Sequence, residues 1–289
     1  MTLTLPGFTY QRVETAPGVE LSVAVAGSGP AVVLLHGFPQ THLMWRHVAA
    51  DLVRDHTVIV PDLRGYGASD KPAEADEHTY SKRTMAADVV AVARALGHER
   101  FALAGHDRGA LVAIRAGLDH PDAVTHLLVL DVLPTLDMWD VLHGADAKVA
   151  WHLYLMAQPV GVPEPMIAAV AATFFGSFLD GWGPGIDAEH RAEYLRASRE
   201  AGPSIVADYR ASAGIDVVHD REDREQGRRL GMPVTVIQQD WGAALGYDAQ
   251  GLWSAWADDL DHRTTGAGHF MAEAAPGEVV GAMRELLGR

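Results

Sequence analysis

Gly105-His106-Asp107-Arg108-Gly109 lies between an apolar run, Phe101–Ala104, and a stretch with helical spacing of apolar residues. Glycines on both sides of a single polar position allow a sharp strand-to-helix turn that pushes the central side chain into a cavity. Here that side chain is a carboxylate. Its simplest task would be to cap the helix starting at Arg108, but the strand–turn–helix context and the partners downstream favour a nucleophile. A serine that displaced a leaving group at a saturated carbon would leave an ether, which water does not readily cleave. A carboxylate leaves an ester, whose carbonyl an activated water can attack. The residue type therefore points to displacement of a halide or an epoxide oxygen at an sp3 carbon.

Cleaving such an ester requires a base. The chain holds 15 histidines, and His269 stands apart by its position in Gly266-Ala267-Gly268-His269-Phe270, a Gly-rich loop after the last strand signal. It would deprotonate the attacking water. A third group must orient the imidazole. Asp131, at the end of the apolar run Leu127–Leu130, is one choice, and Asp240 or Asp248, after the strand signal Pro233–Gln239, are the others. His36-Gly37-Phe38-Pro39 follows the run Ala31–Leu35. Its Phe38 amide, paired with the amide of Arg108, could hold the oxyanion formed when water attacks.

These residues need a scaffold. Ala31–Leu35, Thr57–Val60, Phe101–Ala104, Leu127–Leu130 and Val234–Ile237 are continuous apolar runs, the pattern of parallel strands buried on both faces. Between them lie helical stretches at Leu43–Arg54, Lys82–Leu96, Arg108–Leu118 and Gly277–Leu287. From about Leu136 to Ala213 the strand rhythm stops, leaving helical pieces and a Gly-rich turn at Gly181–Gly185. One α/β core, residues 1–135 and 214–289, with a helical insertion over 136–213, accounts for this. Such an insertion would cover the carboxyl ends of the strands, where open α/β sheets bind ligands.

The 289 residues, 48% hydrophobic, suffice for one large core. A net charge of −15 argues against a nucleic-acid or anionic-membrane partner. With no cysteine, disulfides and thiol chemistry are excluded. The start, MTLTLPGFTY, lacks a basic n-region and an apolar h-region, and no uncharged apolar run reaches about 18 residues. A cytoplasmic enzyme acting on a small molecule is expected, with neither cofactor nor metal and with a homodimer left open. Asp220–Glu225 reads as a solvated helix face, His42 and His47 do not share a helix face for a metal, and Trp45, Trp253 and Trp256 read as packing residues.

HGFPQTHLMW, DLRGYGASDKP, GHDRGALVAIRAGLDHP, VLDVLPT and GAGHF resemble the haloacetate dehalogenase and epoxide hydrolase branch of the α/β hydrolases, from about Ala31 to Pro276. The resemblance implies an α/β-hydrolase fold, a mostly parallel sheet flanked by helices, with a helical cap inserted after the sixth strand. It implies Asp107 as nucleophile, His269 as base and Asp131 as the partner of that base. Trp151-His152-Leu153-Tyr154 resembles the cap segment of fluoroacetate dehalogenases, in which a His-Trp pair and a later Tyr cradle the halide. His152 and Tyr209 match, while Leu153 replaces the Trp. Those enzymes bind the substrate carboxylate with two arginines. Arg108 matches the first and Leu111 replaces the second. Trp151 and His152 with Tyr209 also resemble certain bacterial epoxide hydrolases, where His and Tyr hold the epoxide oxygen. The apolar Leu111 and Leu153 tilt the expectation to a neutral epoxide over a haloacid. A non-catalytic ligand receptor on the same fold comes third, and no Ser occupies the turn for serine-esterase chemistry.

Overall fold

The computed structural model describes residues 3–289; the expectation about the chain's start also touches Met1 and Thr2, which lie outside the described residues. Its centre is an eight-stranded sheet: β1 (Thr9–Ala16), β2 (Val19–Gly27), β3 (Ala31–Leu35), β4 (Thr57–Pro61), β5 (Phe101–His106), β6 (Val124–Leu130), β7 (Val234–Gln239) and β8 (Leu260–Thr265), in the order β1-β2-β4-β3-β5-β6-β7-β8. The pairs β1–β2 and β2–β4 are antiparallel, and all others are parallel. The inner strands read as unbroken apolar runs because both faces are covered. Val33, Leu35, Leu103 and Val129 belong to the core on one face, and Val32, Leu34, Ala104 and Leu130 to the core on the other.

The three strands that give no such signal, β1, β2 and β8, lie toward the sheet edges. β1 is largely exposed, β2 alternates, and β8 (LDHRTT) is no more than half-buried along its length. After β6 the chain leaves the sheet for a run of helices from Thr135–Val141 to Ile215–Glu225 and rejoins it at β7. The helical run therefore passes the expected limit at Ala213. Ile215–Glu225 packs on Thr135–Val141 and Gly202–Ala213. Its charge run is only half solvated: Arg221, Glu222, Arg224 and Glu225 are exposed, whereas Asp220 and Asp223 are buried, each 2.5 Å from the Arg115 guanidinium. Arg115 comes from the helix Arg108–Asp119, so an unseen partner inverts the expected exposure of these two carboxylates. Trp45, Trp253 and Trp256 are all fully buried packing residues. Among the described residues no helix is long and apolar enough to cross a membrane.

Candidate active site

The register of the parallel strands places two carboxylates side by side. His106 is level with Leu130, and Leu130 with Ile237. One residue further, the Asp107 amide donates to the Leu130 carbonyl (3.0 Å) and the Asp131 amide to the Ile237 carbonyl (2.8 Å). Both aspartates leave their strands with positive φ, 49° and 54°, and they are the non-glycine residues with this backbone sign among the described residues. At Asp107 the turn is packed too tightly for side chains on its neighbours. A Cβ on Gly105 would sit 2.5 Å from the Gly109 carbonyl oxygen, and one on Gly109 would sit 2.6 Å from that of Leu35. The helix Arg108–Asp119 begins at the next residue, and Asp107 does not cap it with its side chain.

His269 is buried, and its Nδ1 lies 2.6 Å from Asp131 Oδ2. A carboxylate only accepts, so Nδ1 carries the proton and Nε2 presents its lone pair. That Nε2 has no hydrogen-bond partner and faces Asp107 Oδ2 at 3.9 Å. Burial opposes charging of His269, but the hydrogen bond and charge of Asp131 outweigh it and hold the pKa above the usual value. Burial likewise works against ionising Asp131, but His269 and Gln239 keep its pKa low. The Gln239 amide and side chain each donate to Asp131 at 2.8 Å. Of the three candidate aspartates, Asp131 is the one bonded to His269. Asp240 accepts from the Ala243 amide and Asp248 from the Gly251 amide, each capping a short local helix instead.

Of the two expected oxyanion donors, the Phe38 amide reaches Asp107 Oδ1 at 2.7 Å, whereas no such bond joins the Arg108 amide to it. The loop comes this close because residue 37 is glycine: a Cβ there would meet Asp107 Cβ at 2.5 Å and Oδ1 at 2.8 Å. The two carboxylate oxygens are thus differentiated, Oδ1 bound by the loop and Oδ2 facing the imidazole.

Above this floor lies a cavity of about 220 Å³, lined by Asp107, His269 and Asp131 below and by His152, Leu153 and Trp182 from the helical segment above. The helix Trp151–Met156 brings in His152, whose ring stacks on Phe38 at 6.1 Å and meets Tyr209 edge-on at 5.7 Å. Burial lowers the His152 pKa to about 3, so the ring is neutral. Burial, reinforced by the Asp107 charge, pushes the Tyr209 hydroxyl well above its usual value. The Tyr209 hydroxyl and His152 Nδ1 are both buried without a hydrogen-bond partner.

The alpha/beta hydrolase fold family model matches residues 30–276. The chain belongs to the α/β-hydrolase family. Within it, this hydrolase belongs to the branch that holds epoxide hydrolases and haloacetate dehalogenases. A fluoroacetate dehalogenase from Burkholderia sp is 38% identical, over 97% of this chain and 94% of its own. A soluble epoxide hydrolase from Corynebacterium sp. (strain C12) is 30% identical, over 91% and 92%. The crystal structure of ALR0039 from Nostoc sp PCC 7120 superposes with a TM-score of 0.92 at 36% identity, covering 98% of this chain and 99% of that one.

Neither Tyr209 nor Trp151, both expected there, lines the cavity of this α/β hydrolase; Tyr209 packs edge-on against His152 with its ring under the Arg108 guanidinium. Trp151 is 45% exposed and lies flat on Phe178 at 5.6 Å, outside the lining. It is the first residue of the helix whose His152 and Leu153 line the cavity, and its ring packs on Phe174 and Phe178 instead. Arg108 does line the cavity, but its guanidinium is held in a bidentate pair with Asp208, with Nε and Nη2 each 2.9 Å from the carboxylate. A free clamp for a substrate carboxylate is therefore not what the structure presents. Gln239, which holds Asp131, escaped the sequence reading, and so did Trp182 and His106. Trp182, in the Gly-rich turn, lines the cavity, meets the His269 ring edge-on at 4.9 Å and accepts the His269 amide at 2.9 Å. His106 Nε2 donates to the His269 carbonyl at 2.8 Å, bracing the loop from beneath. A lone aromatic in a glycine-rich turn is the only trace Trp182 leaves in the sequence.

Proposed function

We propose that this hydrolase opens an uncharged epoxide in two steps through a covalent ester on Asp107. Oδ2 attacks the less hindered epoxide carbon, the C–O bond breaks, and the electron pair goes to the departing oxygen. His152 N–H and the Tyr209 hydroxyl stabilise that alkoxide, with Tyr209 supplying the proton. Oδ1, already held by the Phe38 amide, becomes the carbonyl oxygen of the ester. His269 then takes a proton from a water, the resulting hydroxide adds to the Asp107 carboxyl carbon, and the tetrahedral oxyanion forms on Oδ1. Collapse expels the second diol oxygen, which takes the imidazolium proton, and the proton left on the new carboxyl returns to the Tyr209 phenolate, restoring the carboxylate, the phenol and the neutral imidazole. Asp131 stabilises the imidazolium formed in that step.

The observation that carries this reading is a pair of unpartnered polar groups: His152 Nδ1, on a ring that lines a cavity walled by Leu111 and Leu153 and floored by Asp107, and the buried Tyr209 hydroxyl, whose ring meets His152 edge-on at 5.7 Å. A halide leaves without needing a proton, whereas an alkoxide is strongly basic and needs an acid beside it. A second reading, hydrolytic dehalogenation of a haloacid by the same ester, is favoured by the 38% identity to the fluoroacetate dehalogenase. Turnover in oxygen-18 water, with mass spectrometry of the peptide containing Asp107, tests both. Label is expected in the Asp107 carboxylate after multiple turnovers with a terminal epoxide and not with chloroacetate. No label from either substrate would refute the ester. Label and halide release from chloroacetate, with no diol from the epoxide, would replace the first reading by the second.

A further inference from the structure

We infer that Asp208 is a specificity residue: it ties up the cation beside the nucleophile and so closes the cavity to anionic substrates. This rests on the reading of Asp107 as the nucleophile. Arg108 follows Asp107 directly, lines the cavity and is 1% exposed. Of the five N–H groups of a guanidinium, Nε and Nη2 take both Asp208 carboxylate oxygens at 2.9 Å, Nη2 also reaches the Asp208 carbonyl at 3.0 Å, and Nη1 contacts the Ser212 hydroxyl at 3.4 Å. The plane of the group lies over the Tyr209 ring, 4.1 Å from its centroid. Four of the five N–H groups are thus engaged, and the charge itself is matched by the Asp208 carboxylate.

Asp208 is itself immobilised. It is fully buried, accepts from the Tyr66 hydroxyl at 2.6 Å and is bonded to the Lys82 ammonium. Lys82 in turn lies 3.5 Å from Asp216 Oδ2. Arg108, Asp208, Lys82 and Asp216 therefore form a buried row of alternating sign whose charges sum to zero. A substrate carboxylate would join Asp107 and Asp131 as a further negative charge in the same cavity, with no uncompensated cation to receive it. An unpaired buried charge is among the most costly things a protein can hold. An epoxide carries no charge and meets no such barrier. The partner is supplied by the helix Gly202–Ala213, the same helix that carries Tyr209. One element thus provides a leaving-group donor and silences the neighbouring cation.

Acetate and its uncharged analogue acetamide are suitable probes, measured by calorimetric titration and as inhibitors of epoxide turnover. The wild-type enzyme is expected to bind acetate no better than acetamide. Asp208→Asn keeps the shape and removes the charge, leaving Arg108 unpaired while Lys82 stays with Asp216. The acetate-to-acetamide affinity ratio is then expected to rise about tenfold or more, the scale of one charge-assisted hydrogen bond. The double variant Asp208→Asn/Lys82→Met removes one charge of each sign and should show the same gain, which serves where the single variant does not fold. A wild-type preference for acetate of tenfold or more, or an unchanged ratio in a folded variant, would overturn the inference. Diol formation is scored separately. Its absence with the expected ratios would refute the epoxide reading and leave the role of Asp208 standing.

Discussion

Gly37→Ala isolates one hydrogen bond of the site. The added methyl would start 2.5 Å from Asp107 Cβ and 2.6 Å from the His106 carbonyl oxygen, both groups of a tightly packed turn. Ordinary van der Waals contact begins near 3.4 Å, so the loop must retreat by about 0.9 Å. The Phe38 amide, now 2.7 Å from Oδ1, would move to about 3.6 Å, beyond hydrogen-bonding range. Losing one preorganised oxyanion donor costs about 10²- to 10³-fold, or roughly 3–4 kcal/mol of barrier. The loss falls mainly on ester hydrolysis, because the full charge on Oδ1 develops there. Rapid-quench single turnovers, with the intact protein weighed by mass spectrometry, should show the ester on Asp107 accumulating while its formation slows less. A thermal melt separates this from unfolding. Hydrolysis within about threefold of wild type in a folded variant would refute the role of Phe38.

The remaining expectations concern the base, the leaving group and a residue outside the cavity. The proposed base is neutral His269, so ester hydrolysis should fall as pH drops through a pKa held above the usual histidine value. In Asp131→Asn the two largest forces raising that pKa, the hydrogen bond and the charge of Asp131, are gone while burial remains, so the inflection of the pH profile should move to lower pH while the plateau drops about 10²- to 10⁴-fold; an unmoved inflection would contradict the pairing. Tyr209→Phe should slow ester formation from an epoxide by about 10²-fold or more in stopped-flow single turnovers, and equal rates would remove Tyr209 from alkoxide stabilisation. Trp151→Ala should leave kcat and KM within twofold and lower Tm by a few degrees, because the ring is half-exposed and packs on Phe178; a tenfold fall in kcat/KM would return Trp151 to the site.

The parts of the fold legible in the sequence were those whose cause is local. Strands β3 to β7 announce themselves because burial on both faces demands unbroken apolar residues. Strands β1, β2 and β8 hide because an edge or half-covered strand tolerates polar residues such as Asp261, His262 and Arg263. The same division runs through the site. Asp107 and His269 are marked by the glycines around them. Asp131 is not separable from Asp240 and Asp248 by strand position alone, although the short range of the two caps, three residues in each case, is a local signal that could have set them aside. The pairing of Arg108 with Asp208 spans 100 positions in the chain and leaves no mark on either residue's neighbours. Trp151 was misplaced by adjacency: His152 and Leu153 face the cavity, but the neighbouring Trp151 turns its ring to Phe174 and Phe178, and nothing in the sequence separates the two outcomes.

The left-handed backbone at Asp107 and Asp131 has a bearing on how such an enzyme changes under selection. Non-glycine residues held there store roughly 1–3 kcal/mol each, and here both are carboxylates on which the proposed mechanism depends. Glycine at Asp107 or asparagine at Asp131 relaxes the chain while abolishing or crippling turnover. A directed-evolution campaign that ranks survivors by heat resistance alone will therefore enrich inactive lineages at these two positions first, because fold endurance and catalysis pull in opposite directions there.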